Sequence, residues 1–138
     1  MTTPEARVRR TLNADRPTVW RHLVEPGLLD RWFCPNPELE LAVAADPRVG
    51  GEYRADMGGE YVAVGEYTEV VPESLLAFTW GWMPEPEPAT HVAISLAEAD
   101  GGDTDLELVH AGFTDPEAAE GHRDGWERSL DRLVELVG

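Results

Sequence analysis

Lysine is absent from this 138-residue sequence, and all 11 basic residues are arginine. They are outnumbered by 27 acidic residues, which gives a formal net charge of −16 at pH 7. A surface this negative repels phosphate groups, so the composition argues against nucleic acid and anionic membranes as partners. A small apolar molecule is the class of partner that this charge favours.

Cysteine is nearly absent too, since Cys34 is the single one in the chain. One thiol can build neither a disulfide framework nor a structural zinc site. The sequence neighbours of Cys34 supply no base that would activate it as a nucleophile. No two histidines have the four-residue spacing of a helical metal site, so we predict no bound metal and no cofactor.

Long apolar runs are also missing. No segment approaches the ~18 residues that cross a bilayer, and Met1 to Arg10 is polar rather than signal-like. We therefore expect no membrane insertion and a cytoplasmic location. No linker, repeat or low-complexity segment interrupts the chain, which predicts a single domain over residues 1–138.

Hydrophobic periodicity predicts a strand over Ala6 to Leu12, a short helix that Pro26 ends, and a second short helix over Gly27 to Phe33. From Glu38 to His110 the period changes to two, as it does in strands. Turn-forming segments divide this region, among them the stretch from Pro84 to Pro88. Short connections favour antiparallel neighbours, so the pattern predicts six strands in a meander, or seven with the first.

The segment from Asp115 to Val137 has the clearest helix pattern. Thr114 and Asp115 are both suitable N-caps, and Glu117 stands three residues after Thr114. We therefore predict an α+β fold, in which a curved antiparallel sheet wraps around this long helix and two short helices follow the first strand. The residues that form one stripe along the helix are Ala119, His122, Trp126, Leu130, Leu133 and Val137.

This order of elements resembles the helix-grip, START-like fold of the SRPBCC superfamily, and within it the branch named after the activator of heat-shock protein 90 ATPase. The resemblance covers essentially residues 5 to 137. It implies a cavity between the sheet and the C-terminal helix, but no fixed substrate, since the superfamily includes lipid carriers, hormone receptors, polyketide cyclases and co-chaperone domains. The segments that carry it are Val19-Trp20, Leu29 to Phe33, Gly50-Gly51, Gly65 to Pro72, Phe78 to Trp80, Leu108 to Phe113 and Gly121 to Trp126.

Side chains from converging elements are the candidates to line such a cavity. Aromatic residues at strand and helix spacing usually fill a core, and that remains the alternative interpretation. Five tryptophans in so small a domain favour gaps between wide rings, and gaps of this kind bind ligands. The candidate ligand-binding residues are Trp32, Phe33, Tyr53, Met57, Trp80, Trp82, His110, Phe113, His122 and Trp126.

Two of these candidates are histidines on apolar faces, His110 on the last strand and His122 on the long helix. They are either polar anchors or proton donors inside a pocket, or hydrogen-bonded core residues that brace the sheet against the helix. The bracing interpretation is favoured, because buried polar groups normally have structural partners.

Arg10 shares an inward face with Val8, so it needs an acidic partner, for which Glu66 is one candidate, or its head group must reach water. Gly121 and Gly125 lie about one helical turn apart, which predicts a close approach of the long helix to the sheet.

We therefore hypothesise a protein that binds a hydrophobic small molecule, for which no catalytic residue is assigned and catalysis is left open. One alternative is a cyclase/aromatase-like enzyme that uses His110 or His122 as general acid and base. A second is a chaperone-binding protein, which is disfavoured because a chain of this length leaves no room for the additional N-terminal domain of such co-chaperones. Pairing of two copies through an exposed sheet face to form a homodimer is compatible with the sequence.

Overall fold

The computed structural model describes residues 4–138. Strands make up most of its regular structure, and helices occur after the first strand and at the C-terminal end. The elements, in chain order, are β1 (Glu5–Leu12), α1 (Arg16–Val24), α2 (Pro26–Leu29), β2 (Leu41–Ala45), β3 (Glu52–Met57), β4 (Tyr61–Val71), β5 (Leu75–Trp82), β6 (Glu85–Glu98), β7 (Thr104–Ala111) and α3 (Pro116–Val137).

All seven strands form one antiparallel sheet in the order β1-β7-β6-β5-β4-β3-β2. The register shifts between Tyr67 and Glu69 in β4, and again between Trp80 and Trp82 in β5. Irregularities of this kind bend strands and increase their twist, which helps the sheet curve around α3. The predicted fold class is confirmed: a curved antiparallel sheet with a long C-terminal helix and two short helices after β1.

The long helix α3 begins as its sequence predicts. Of the two candidate caps, Asp115 is the N-cap, and its carboxylate accepts a hydrogen bond from the backbone N–H of Glu117 at 3.0 Å. The predicted stripe faces the sheet, although His122 and Val137 are only half-buried. The buried residues of the helix are Ala119, Trp126, Ser129, Leu130 and Leu133.

The hydrophobic core lies between the sheet and the three helices. Leu12 of β1, Val19 of α1 and Leu130 of α3 are completely buried within it. Burial of one such side chain stabilises the fold by about 1.5–3 kcal/mol. The inward alternation predicted for β3 is confirmed, since Tyr53 and Met57 are both buried.

Two predicted boundaries are wrong. The second short helix ends at Leu29 rather than at Phe33, and a series of backbone turns carries the chain on to Cys34. The stretch from Pro84 to Pro88 belongs largely to β6, which begins at Glu85. Prolines fit there because β7 pairs with β6 only from His91 onward, so this end of β6 is a sheet edge that tolerates missing N–H donors.

The partner proposed for Arg10 is also corrected. Its guanidinium Nε lies 3.0 Å from the carboxylate of Asp131 on α3, rather than near Glu66. The Arg10 side chain is 27% exposed, so it packs partly inward while its charge is paired at the surface. The ion pair links β1 to the second half of the long helix.

Candidate functional site

A cleft of about 530 Å³ lies between the first half of α3, the strands β3 to β5 and the segment that follows α2. It is the candidate functional site, because concave and largely apolar spaces of this size are where proteins bind small molecules. Its walls are formed by Phe33, Cys34, Pro35, Asn36, Leu39, Met57, Tyr61, Trp80, Trp82, Ala118, Gly121, His122, Gly125, Trp126 and Ser129.

The helical wall of the cleft consists largely of small residues. Ala118, Gly121, Gly125 and Ser129 follow one another in steps of three and four, so they share one face of α3. A Cβ atom added at Gly121 would meet nothing within 4 Å, and one added at Gly125 would meet only Pro35 Cγ at 3.8 Å. The prediction that these glycines bring the helix close to the sheet is therefore wrong: they border open space.

The opposite wall is aromatic. Trp80 and Trp82 extend from the end of β5, with ring centroids 5.3 Å apart in an edge-to-face arrangement. The ring of Trp126 on α3 lies 5.1 Å from that of Trp80, so the three indoles form a continuous surface. Tyr61 is 55% exposed, which places it at the rim rather than in the depth of the cleft.

The third wall, residues 33–36, is fastened to α3 by an arginine. Arg132 donates one hydrogen bond to the carbonyl of Arg31 at 3.0 Å and another to the carbonyl of Cys34 at 2.5 Å. The Cys34 thiol is buried and donates to the carbonyl of Asn36 at 3.5 Å. These contacts hold Phe33 in place, where its ring packs against Trp126 at 5.6 Å.

The structure brings six of the ten candidate residues together in the cleft: Phe33, Met57, Trp80, Trp82, His122 and Trp126. The other four lie outside its wall. Trp32 is completely buried and donates its indole N–H to the carbonyl of His22 at 2.8 Å. Phe113 packs against His122 with ring centroids 4.9 Å apart. Tyr53 and His110 take up interior positions described next.

Tyr53 belongs to a deeper region that is filled. The space there, beside Leu23 and Phe78, holds only about 10 Å³, less than a small ligand needs. Burial raises the pKa of the Tyr53 phenol well above its ordinary value, and its hydroxyl donates to the carbonyl of Thr79. The room for a ligand therefore lies beside the first half of α3, not throughout the space between sheet and helix.

His110 is completely buried behind the cleft. Its Nδ1 accepts a hydrogen bond from the indole N–H of Trp126 at 3.0 Å, and its Nε2 lies 2.6 Å from the hydroxyl of Thr90. An indole N–H can only donate, so Nδ1 carries a lone pair and the proton sits on Nε2. The pKa of His110 is lowered to about 3, mainly because burial disfavours the charged imidazolium and to a lesser extent because His122 and His91 lie nearby.

His122 lines the cleft, but both of its ring nitrogens are engaged. Nδ1 lies 2.7 Å from the carbonyl oxygen of Ala118, and Nε2 accepts from the indole N–H of Trp82 at 3.0 Å. The rings of His122 and His110 are 5.0 Å apart. Both histidines thus brace the sheet against α3, which agrees with the favoured interpretation of the sequence.

One polar group in this region has no protein partner. Within residues 4–138, Nε1 of Trp80 is the buried side-chain nitrogen or oxygen atom that lacks a hydrogen-bonding partner. Its neighbours Trp82 and Trp126 each donate to a histidine. An unpaired buried donor costs about 1–3 kcal/mol, so an acceptor brought next to it would bind favourably.

The cleft carries no formal charge. Its lining, taken from the described part of the chain, includes no Asp, Glu or Arg side chain. No group of three or more His, Cys, Asp or Glu side chains in residues 4–138 could hold a metal ion. Likewise, none of the helices described here is both long and apolar enough to cross a membrane.

The sequence did not indicate every wall of the cleft. The helical spacing of the small residues of α3 can be recognised in the sequence. The open space beside them cannot, because the spacing does not show what the residues face. The segment after α2 has no periodicity that would reveal its position. The lining residues missed in this way are Cys34, Pro35, Asn36, Leu39, Tyr61, Ala118, Gly121, Gly125 and Ser129.

Known proteins share this architecture. The model of the family described as Activator of Hsp90 ATPase homolog 1-like protein matches residues 13–138. The crystal structure of protein CV1439 from Chromobacterium violaceum is 28% identical, with 96% of each chain covered and a TM-score of 0.79. Protein NE0264 from Nitrosomonas europaea is also 28% identical, over 96% of this chain and 93% of the other, with a TM-score of 0.80.

A third solved structure, the AHSA1 protein SPO3351 from Silicibacter pomeroyi, is 25% identical over 95% of both chains, with a TM-score of 0.78. No curated protein matches the sequence. Because the family model spans nearly the whole chain, the protein belongs to the family of Activator of Hsp90 ATPase homolog 1-like proteins.

Proposed function

We propose that this family member binds an uncharged, largely apolar small molecule in the cleft between α3 and β5. The observation that carries the proposal is the cleft of about 530 Å³ beside an otherwise filled interior. Its volume falls within the range of about 300–1,000 Å³ that is usual for ligand sites. Three contacting indole rings give the ligand an apolar aromatic surface to pack against, and no charged side chain among the lining residues would hold an ion.

The composition of α3 supports the same conclusion. A glycine inside a helix costs about 1 kcal/mol relative to alanine, and α3 has two of them on its cleft face. An alanine at Gly121 would meet no neighbouring atom within 4 Å, so packing against the sheet does not require glycine there. Keeping the cleft open for a ligand accounts for both residues.

The alternative function, catalysis by a histidine, has less support from the geometry. His110 is completely buried and is not part of the cleft wall. His122 does reach the cleft, but it would have to give up its bond from Trp82 Nε1 before Nε2 could accept a proton. Binding without chemistry requires no such rearrangement.

A dye titration tests the binding proposal. N-phenyl-1-naphthylamine is uncharged and fluoresces strongly in apolar surroundings, so we expect saturable enhancement with the wild-type protein. Gly121→Leu places a side chain in the open space of the cleft and should weaken binding at least ten-fold, a loss of about 1.4 kcal/mol. Glu120→Leu is the matched control, because Glu120 is exposed on the same helix and does not line the cleft.

Two results would contradict the proposal. The first is equal dye affinity of the wild type and Gly121→Leu, which would place the bound dye elsewhere. The second is a lack of binding by a panel of uncharged aromatic and aliphatic compounds in a thermal-shift screen. Circular dichroism of all three proteins would establish that the variants are folded.

A further inference from the structure

The three tryptophans of the cleft differ in how their N–H groups are used. Trp82 donates to Nε2 of His122 and Trp126 donates to Nδ1 of His110, both at 3.0 Å. Trp80 lies between them, with ring centroids 5.3 and 5.1 Å from theirs, and its Nε1 has no acceptor in the described chain. The protein therefore satisfies two of the three indole donors and leaves the central one unpaired.

The position of Trp80 makes this difference relevant to binding. The residue is only 5% exposed, and it lines the cleft. The great majority of buried N–H groups have a hydrogen-bonding partner, so an unpaired one calls for an explanation, and a partner that the chain itself does not provide is one. A molecule in the cleft would lie against this indole.

We propose that the ligand of the cleft carries one uncharged hydrogen-bond acceptor, a ketone, ester or amide carbonyl, which takes the Nε1–H of Trp80. This inference rests on the proposed function and adds the chemical class of the ligand. A carboxylate would fit less well, because the lining offers no cation to balance it and the protein already carries a net charge of −16. A carbonyl oxygen accepts the hydrogen bond without bringing a charge into the apolar cleft.

The proposal includes a movement of one side chain. Nε1 of Trp80 is itself covered, so the indole must tilt toward the cleft for a ligand oxygen to reach it. The tilt breaks no hydrogen bond, since that nitrogen has none to lose. Tilting Trp82 or Trp126 instead would break their bonds to histidine.

Fluorene and 9-fluorenone provide a matched pair of probes, because they share one flat shape and differ by a CH₂ in place of a carbonyl. Without a donor for the carbonyl, fluorene should bind more tightly, since desolvation of an unpaired carbonyl is unfavourable. With the Trp80 hydrogen bond, 9-fluorenone should bind about five-fold more tightly than fluorene. Quenching of tryptophan fluorescence gives both affinities.

Two variants test whether Trp80 is the source of the preference for 9-fluorenone over fluorene. Trp80→Phe keeps an aromatic ring but removes the donor, so we expect the order of the two affinities to reverse. Trp82→Phe is the matched control: it also removes an indole from the cleft wall, yet one whose N–H is already donated to His122. It should change both affinities alike and preserve the preference for 9-fluorenone.

A measurement on the wild type keeps the test independent of variant stability. In a ¹H–¹⁵N spectrum the indole N–H resonance of Trp80 should move downfield with 9-fluorenone and not with fluorene, as expected for a new hydrogen bond. If both probes bind, are excluded by Gly121→Leu, and show equal affinity with no such shift, the carbonyl inference is wrong while the binding function stands. If neither probe binds although N-phenyl-1-naphthylamine does, the carbonyl inference is wrong and the binding function stands. If none of the three compounds and none of the panel binds, both proposals fail.

Discussion

The indole Nε1 of Trp126 donates to Nδ1 of His110 across 3.0 Å, inside the protein and directly behind the cleft. This bond joins α3 to β7 and fixes the imidazole as the neutral form that carries its proton on Nε2. That proton points to Thr90, whose hydroxyl in turn lies 3.2 Å from the carbonyl of Trp80. The back of the cleft is therefore held by a chain of hydrogen bonds that depends on an uncharged histidine.

The first prediction concerns the pH dependence of stability. Burial lowers the pKa of His110 to about 3, from an ordinary value of 6.5 in the unfolded chain. Below pH 6.5, His110 is therefore protonated in the unfolded state but stays neutral in the folded state. For this reason the free energy of unfolding falls as the pH falls. Between pH 8 and pH 5 this one group should reduce that free energy by about 2 kcal/mol.

Urea denaturation of the wild type and of His110→Gln at pH 8, 6.5 and 5 isolates this contribution. The many carboxylates titrate alike in both proteins, so they cancel in the difference between the two curves. The free energy of unfolding of the wild type should exceed that of the variant at pH 8, and this difference should shrink as the pH falls to 5. A difference that stays constant over this range would mean that His110 titrates normally and is not held neutral.

The second prediction concerns the acceptor of the His110 proton. Thr90→Val preserves the shape of the side chain but leaves the Nε2–H of His110 buried without a partner, so we expect a destabilisation of about 1–3 kcal/mol. Thr11→Val is the control, because that hydroxyl bonds to Asp105 on the exposed face of the sheet. Its loss should change stability by less than about 0.5 kcal/mol. Equal effects in thermal unfolding would contradict the hydrogen-bond chain.

The third prediction follows from the glycines of α3. Gly121→Ala should stabilise the protein by about 1 kcal/mol, because alanine favours the helix and its Cβ meets no neighbour within 4 Å. The same change at Gly58 should destabilise it, since Gly58 has a φ of +73° and an added Cβ would lie 2.9 Å from Leu39 Cδ2. A loss of stability in Gly121→Ala would show that the helix packs more closely there than described.

Much of the fold was predictable because it depends on local patterns. Residues close together in the sequence determine three of its features: the cap at Asp115, the buried stripe through Trp126 and the alternation in β3. The start of β6 was not predictable, because it depends on which strand edge remains unpaired. The end of α2 at Leu29 was not either, because the apolar residues between Leu28 and Phe33 keep a helical spacing beyond it.

The site was harder to predict than the fold. An aromatic residue that fills a core and one that borders a gap have the same spacing, so Tyr53 and Trp80 are indistinguishable in sequence although only Trp80 lines the cleft. The spacing of Gly121 and Gly125 wrongly predicts a close contact for the same reason, since helical periodicity gives the face of a residue but not the distance to what it faces. The partner of Arg10 lies 121 residues away on α3, beyond the reach of local patterns.

The most direct test of a ligand-binding cleft is to map where an uncharged aromatic ketone binds. In a ¹H–¹⁵N titration with 9-fluorenone, we expect the largest shifts at the amides of Gly121 and Gly125 and at the indole groups of Trp80 and Trp82. The amides of the exposed sheet face, such as that of Ser95, should stay unchanged. Shifts confined to that outer face, or none at saturating ketone, would contradict binding in the cleft.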